Sequence, residues 1–195
     1  MLFRSQLDPT AAQNEIRRAM AEWSKAVKIS WTQASNSAGA KTVNILFGAG
    51  SHGDPYPFDG PSGVLAHTFY PAPPNPEPIA GDMHFDEAER WRIGSNTDLF
   101  SVTLHELGHA LGLGHSDDPA AVMYPYYKIV TQLSSVDKAS AQTLYAIQDS
   151  TPPNPGIPTP PVTPTPPPPP PTGDKTAPSV TIRSEERRVG KECRL

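Results

Sequence analysis

The stretch HELGHALGLGH, residues 105–115, restricts the fold of this 195-residue chain more than any other feature of its sequence. On an α-helix, His105 and His109 are one turn apart on the same face, so both imidazoles can bind one ion. Glu106 points about 100° away around the helix, beside that ion rather than onto it. Gly112 tolerates the positive φ with which a chain leaves a helix, and His115 follows soon after. The pattern therefore predicts a helix that ends near Gly112, so that a third imidazole can return to the ion.

Three neutral imidazoles at these spacings favour a catalytic zinc site, because they leave the fourth tetrahedral position open. Zinc lowers the pKa of a bound water molecule to about 7, and a carboxylate beside the ion suits a general base for that water. The alternative is an apolar core helix that happens to contain histidines. That interpretation is the better one for a lone histidine, but the glutamate and the glycine at fixed offsets favour the metal site.

Composition excludes several other classes of protein. The net charge is -4 and the isoelectric point is near 5.8, which argues against nucleic acid as a partner. No apolar run approaches the roughly 20 residues of a membrane helix. Cys193 is the only cysteine, so an internal disulfide is impossible and packing or bound ions must stabilise the core. We expect a monomer.

The 25 prolines divide the chain, because about half of them lie in residues 151–172. Residues 6–150 read as one globular domain, and residues 151–173 as an extended polyproline linker. Residues 174–182 alternate like a first strand and resemble the opening of a truncated immunoglobulin-like domain. Residues 183–195 and 1–5 resemble translated sequencing adapter and are predicted to be non-native. The natural chain would then extend beyond both ends, and a signal peptide would lie outside this fragment.

Periodicity predicts the elements of the globular domain. A helix capped by Thr10 carries an apolar face at Ile16, Met20, Trp23 and Val27. Strands are predicted over residues 28–32, 43–47, 64–70 and 83–93, and helices over residues 99–113 and 134–148. The buried side of the last helix is predicted to consist of four apolar residues: Val136, Ala139, Leu144 and Ile147.

The zinc motif and the AVMYP stretch at residues 121–125 resemble the metzincin peptidases and, more narrowly, the matrixin family that includes the matrix metalloproteinases. The resemblance implies an α+β fold, with a twisted, mostly parallel sheet, an active-site helix and flanking helices. It implies that Met123 forms an apolar floor beneath the zinc. A peptide substrate would lie along residues 63–67 as an added edge strand. The substrate pocket would involve Leu65, Ala66, Pro125 and Tyr127.

Two further stretches, residues 52–67 and 81–91, are similar to the ion-binding segments of the matrixins. The resemblance implies a structural zinc, closed by four ligands: His52, Asp54, His67 and His84. It implies a calcium ion held by carboxylates and main-chain oxygens: Asp59, Gly60, Ser62, Val64, Asp86 and Glu89. Asp82 is a candidate ligand for a second calcium, although the loop before it carries more prolines than the family pattern. All six histidines of the chain fall on ligand positions.

The resemblance predicts a secreted zinc endopeptidase that hydrolyses internal peptide bonds of extracellular proteins, with Glu106 as the general base. Two alternatives stay open. One is a non-catalytic, metal-stabilised binding module on a proline stalk. The other is a different metzincin branch, such as an astacin-like or reprolysin-like enzyme.

Overall fold

The computed structural model describes residues 7–148, 179–182 and 192–194. The elements in these residues are α1 Pro9–Ala26, β1 Thr42–Gly48, β2 Val64–Thr68, β3 Met83–Asp86, β4 Trp91–Arg92, β5 Thr97–Asp98, α2 Leu99–Ala110, α3 Ser135–Leu144, β6 Ser179–Ile182 and β7 Glu192–Arg194. No helix in the described ranges is long and apolar enough to cross a membrane.

Helix α1 begins earlier than predicted. Its N-cap is Asp8, whose side chain accepts a hydrogen bond from the backbone N–H of Ala11 at 3.0 Å. Pro9 occupies the first helical position, where a missing N–H is harmless. The prediction of Thr10 as the cap is wrong, because aspartate followed by proline is the stronger start signal and leaves Thr10 inside the helix.

The apolar face of α1 packs against α2. Ile16, Met20 and Trp23 are buried as predicted, and Val27 is buried just beyond the end of the helix. The Trp23 indole N–H donates to the carbonyl of Leu104 at 3.0 Å. This bond satisfies a buried polar group and fixes how α1 crosses the helix that carries the histidines.

The main sheet has the strand order β6-β1-β3-β2-β7. β1 pairs in parallel with β3 and β6, whereas β2 pairs antiparallel with β3 and β7. β4 and β5 form a separate parallel pair. Every residue of β2 is buried. Together with α2, which packs against β2 and β3, this sheet confirms the predicted α+β architecture.

Two predicted strands differ from the structure. Residues 28–32 form no strand, because Trp31 turns towards α1 and its indole N–H donates to the carbonyl of Met20 at 3.1 Å. The predicted strand 83–93 is interrupted after Asp86. The carbonyl of Asp86 accepts the backbone N–H of Glu89 at 3.3 Å and the indole N–H of Trp91 at 2.7 Å, which closes a turn there.

Helix α3 has the predicted N-terminus but not the predicted buried side or length. Ser134 and Asp137 form a reciprocal capping box, and the helix ends at Leu144 rather than at residue 148. The side chains predicted to be buried are exposed: Val136, Ala139, Leu144 and Ile147. The buried residues are Asp137 and Ala141, because the helix docks through hydrogen bonds of a carboxylate rather than through an apolar stripe.

The C-terminal part of the chain contributes the two outer strands of the main sheet. β6 lies within residues 174–182, the segment predicted to open an immunoglobulin-like domain, and β7 lies within residues 183–195, predicted to be non-native. The predicted proline linker, residues 151–173, lies outside the described residues, as do residues 1–6.

Candidate active site and metal centres

The first histidine cluster is built by the end of helix α2. His105 and His109 are both buried on this helix, one turn apart. The helix ends at Ala110, three residues before the predicted end, and Gly112 follows with φ +95°. The chain then returns, so that His115 Nε2 lies 3.2 Å from His109 Nε2. The predicted break at Gly112 is confirmed, and it brings all three imidazoles together.

Backbone carbonyls orient the two helical imidazoles. His105 Nδ1 donates to the carbonyl of Val122 at 2.8 Å, and His109 Nδ1 donates to the carbonyl of Leu113 at 2.8 Å. Each bond leaves Nε2 as the ligand atom, which is the usual second shell of a metal-binding histidine. The three ligand nitrogens lie within 4.8 Å of one another. His105 Nε2 is buried without a hydrogen-bond partner, which fits a ligand for a cation.

The cluster also has the electrostatics of a metal site. Burial, reinforced by the neighbouring imidazoles, lowers the pKa of His105 to about 3. Burial lowers the pKa of His109 to about 4 despite the hydrogen bond with Leu113, and it also lowers the pKa of His115. The imidazoles are therefore neutral at neutral pH, the form in which histidine binds a metal.

Glu106 lies beside this cluster and is fully buried. Its Oε2 accepts a hydrogen bond from the hydroxyl of Thr68 at 2.6 Å, while its Oε1 has no partner. Burial raises the pKa of Glu106 to about 8, although the bond from Thr68 opposes the shift. A carboxyl group with this pKa can take up and release a proton near neutral pH. Nothing in the sequence pattern indicated Thr68, because its partner is far away in sequence.

Met123 packs beneath the histidine helix. A Cβ added at Gly108 would overlap the Met123 sulfur and lie 3.1 Å from the Trp23 ring, so only glycine permits this approach. The backbone N–H groups of Val122 and Met123 donate to the two carboxylate oxygens of Asp137 at 2.8 and 3.1 Å. Sequence reasoning missed Asp137, and the capping box that begins at Ser134 is the signal that could have found it.

A small cavity of about 10 Å³ lies next to His105. Tyr127 lines it, with its hydroxyl donating to the carbonyl of Asn96, whereas Pro125 is not among the lining residues. Leu65 and Ala66 are fully buried in β2, so their side chains do not face this cavity. The sequence did not indicate the other lining residues: Ser101, Val102, Val122, Tyr124, Tyr126, Lys128 and Val130.

A second cluster contains the four predicted ligands of the structural zinc, whose ligand atoms also lie within 4.8 Å of one another. Two come from the loop between β1 and β2, and one each from β2 and β3. Asp54 Oδ2 lies 2.5 Å from His52 Nε2, 4.0 Å from His67 Nε2 and 3.5 Å from His84 Nδ1. The contacts of this oxygen converge on the ring nitrogens of three imidazoles, which fits a cation shared by the four side chains.

Charge states in the second cluster match those of a metal site. Burial, reinforced by His84, lowers the pKa of His67 to about 3. Burial also lowers the pKa of His84. Burial raises the pKa of Asp54, but its hydrogen bond with His84 and the nearby imidazoles outweigh that effect and lower the pKa. One carboxylate and three imidazoles are a donor set typical of zinc.

Three of the predicted calcium ligands are carboxylates that lie near one another: Asp86 at the end of β3, Glu89 in the turn after it, and Asp59 in the loop between β1 and β2. Burial raises the pKa of Asp86, and the carboxylates of Glu89 and Asp59 raise it further. Asp86 Oδ2 is buried without a partner. The backbone N–H of Ser62 donates to Glu89 Oε1 at 2.6 Å, and the N–H of Val64 donates to Asp59 Oδ1 at 2.9 Å. The loop of Gly60, Ser62 and Val64 is thereby held against the carboxylates.

Asp82, the candidate for a second calcium, already has partners. Its carboxylate accepts the backbone N–H of Asn44 at 2.8 Å and the Asn44 side-chain amide at 3.1 Å. Burial raises the pKa of Asp82 to about 7 despite these bonds. Asn44 Oδ1 is buried without a partner beside it. The second calcium stays a prediction.

Comparison with known proteins identifies the family of the chain. The family model for matrixin matches residues 2–146. Matrix metalloproteinase-20 of Homo sapiens is 50% identical over 114 residues, covering 58% of this chain and 22% of that protein. Karilysin of Tannerella forsythia is 46% identical over 143 residues, covering 72% and 30% respectively. Macrophage metalloelastase of Rattus norvegicus is 48% identical over 127 residues, covering 62% and 26%.

The matched region spans between 22% and 30% of the length of these three relatives, so it corresponds to a part of each. The residues that the family model matches, 2–146, include both histidine clusters and all elements from α1 to α3. The match covers well over half of the chain and agrees with the α+β fold and with the clustered histidines. The chain therefore belongs to the matrixin family of zinc-dependent endopeptidases.

Proposed function

We propose that this chain is a zinc-dependent endopeptidase acting on extracellular proteins, with its catalytic zinc held by His105, His109 and His115. The observation that carries the proposal is the pairing of two buried atoms without partners, His105 Nε2 and Glu106 Oε1, on neighbouring residues of one helix. His105 Nε2 is the metal ligand atom, and Glu106 Oε1 is the atom that acts as the base. A merely structural zinc needs no unpartnered carboxylate beside it, whereas hydrolysis does.

Bound zinc would lower the pKa of a water molecule and polarise the scissile carbonyl. Glu106 takes the proton of the attacking water at Oε1 and returns it to the leaving amine. Its burial favours the protonated carboxyl between these two steps, because an isolated carboxylate is poorly solvated there. The carbonyls of Val122 and Leu113 keep the imidazoles in one orientation throughout.

Substrate binds along β2 as an added antiparallel strand. The pairing of β7 with β2 supports this mode, since three residues of the same chain already hydrogen-bond along that edge. Leu65 and Ala66 bind the substrate through their main-chain groups, because their side chains are buried. The residues around the small cavity beside His105, Tyr127 among them, form the surface that the side chain following the scissile bond contacts.

The second cluster holds a structural zinc, and the carboxylates around Asp86 hold a calcium. The convergence of Asp54 with three imidazoles supports the zinc, and the buried oxygen Asp86 Oδ2, which has no hydrogen-bond partner, supports the calcium. Both ions would fasten the long loop between β1 and β2 to the sheet, a role that disulfides play in other extracellular proteins. The catalytic domain comprises residues 6–150, and the protein acts as a secreted monomer.

Metal analysis combined with a peptidase assay tests the proposal. We expect two zinc ions and at least one calcium ion per chain, and cleavage of an internally quenched peptide that stops on chelation and resumes with zinc. Two zinc ions without any cleavage would instead indicate a metal-stabilised binding module. A single zinc ion with cleavage would contradict the structural zinc and favour another metzincin-like site.

Removal of residues 183–195 tests the proposed substrate edge. The shortened chain lacks β7, and we expect a lower KM for the quenched peptide with kcat unchanged, since substrate no longer competes with an intramolecular strand. Removing the proline segment alone, residues 151–173, is the control for a general effect of shortening. An unchanged KM in the chain ending at residue 182 would contradict strand addition at β2.

A further inference from the structure

We propose that Thr68 is a positioning residue that assigns different roles to the two oxygens of Glu106, an inference that rests on the proposed peptidase function. The Thr68 hydroxyl donates to Glu106 Oε2 at 2.6 Å, and both side chains are buried. Oε1 has no partner. Thr68 therefore anchors one oxygen and leaves the other free to receive a proton from water.

The position of Thr68 in the fold makes this anchor rigid. Thr68 is the last residue of β2 and pairs with Met83 of β3, so its backbone is held by the sheet. Its β-branched side chain has few accessible rotamers when it is buried. Glu106 is held by α2, which packs against β2. The hydrogen bond therefore joins two rigid elements and fixes the orientation of the carboxyl group relative to the histidines.

Thr68 also connects the base to the two other proposed features of the site. It continues the strand along which the substrate binds, and it directly follows His67, a ligand of the proposed structural zinc. A displacement of β2 would change the direction of the Thr68 hydroxyl and thereby the direction of Glu106. The structural cluster then supports catalysis through Thr68, although none of its ligands belongs to the first cluster.

Three substitutions separate this role from simple packing. Thr68→Val keeps the shape and removes the hydroxyl, and we expect kcat to fall about 10- to 100-fold, the range for loss of a hydrogen bond to a charged group. KM and zinc content should stay unchanged, because the substitution alters neither the main chain of β2, which pairs with the substrate, nor a metal ligand. Thr68→Ser restores the donor and should recover most of kcat. The matched control is Thr103→Val, whose buried hydroxyl donates to the carbonyl of Leu99 instead.

Infrared spectroscopy of the zinc-loaded protein supplies a readout that does not depend on turnover. The carboxyl band of Glu106, assigned by its loss in Glu106→Gln, should shift in Thr68→Val and stay in place in Thr103→Val. Unchanged kcat and an unshifted band in a folded Thr68→Val protein would overturn the proposal. If the wild-type chain proves inactive, the proposed function fails, while the infrared band still decides whether Thr68 anchors Glu106.

Discussion

The two histidine clusters use similar ligands in opposite ways. The first takes two ligands from one helix and a third from the chain after the helix ends, and His115 is exposed to solvent. The second takes its four ligands from a loop and two strands, and its side chains are closed off from solvent. Each cluster has one carboxyl group. Asp54 contacts the imidazoles of the second cluster directly, whereas Glu106 lies beside the first cluster and keeps one oxygen without a hydrogen-bond partner. An open site with a free base suits chemistry, and a closed site suits stability.

Replacing the free base should have the largest effect. In Glu106→Gln we expect kcat to fall about 10³-fold, since a positioned general base contributes 10²–10⁴-fold. Zinc content should stay at the wild-type value, because all imidazole ligands remain. Steady-state kinetics and metal analysis measure the two quantities. The control is Glu15→Gln, which removes the charge of a partly buried carboxylate of α1 that pairs with Arg18. Full turnover in Glu106→Gln would remove the distinction drawn between the carboxylates of the two clusters.

Replacing the carboxylate of the closed cluster should instead affect stability. We expect Asp54→Ala to lose one zinc ion per chain and about 3–5 kcal/mol of unfolding free energy, as when one partner of a buried charged pair is removed. Among molecules that stay folded, kcat should change far less than in Glu106→Gln. Denaturant unfolding and metal analysis measure this, with the exposed Asp117→Ala as control. Loss of activity with stability intact would reverse the assignment of the two clusters.

The contact beneath the open cluster should be sensitive to a single methyl group. In Gly108→Ala the new Cβ would overlap the Met123 sulfur, and overpacking of this kind lowers the unfolding free energy by about 1–3 kcal/mol. Gly114→Ala is the matched control, because a Cβ at that position meets nothing within 4 Å. Equal unfolding free energies of the two variants would show that the Met123 side chain can move aside without loss of stability.

The smallest expected effect concerns Asp82, next to the closed cluster. Burial raises its pKa from 3.8 to about 7, so between these values the folded protein holds a proton that the unfolded chain releases. Stability from this group is therefore present at low pH and lost as pH rises through about 7. With a chelator present, Asp82→Asn should make the unfolding free energy depend less on pH and raise it by about 1 kcal/mol above pH 7. The gain is smaller than the pKa shift alone implies, because an amide oxygen accepts hydrogen bonds more weakly than a carboxylate.

Calcium titration of the same variant decides the second calcium. If Asp82 holds a calcium ion, added calcium should raise the melting temperature of the wild-type chain more than that of Asp82→Asn. If Asp82 serves only Asn44, the two melting temperatures should rise by the same amount.

How well a structural feature can be predicted from the sequence depends on how far apart its interacting residues lie along the chain. His105, His109 and Gly112 were predictable because helical geometry within a few residues determines where they lie. Asp137 and Thr68 were not, because their partners, Met123 and Glu106, lie 14 and 38 residues away. The prediction of the buried side of α3 was wrong for the same reason. The apolar pattern favoured one face, but the backbone donors of another segment selected the face that carries Asp137.

The peptide unit between Val122 and Met123 has a consequence for reading natural variation in this chain. Its carbonyl accepts from His105, and its N–H donates to Asp137, so one rigid amide plane links helix α3 to a zinc ligand. A substitution at Asp137 would look like a change in helix α3, which carries none of the clustered histidines. It should instead be classed with the histidine variants, because it removes the hydrogen-bond acceptor that aligns this amide with the ligand.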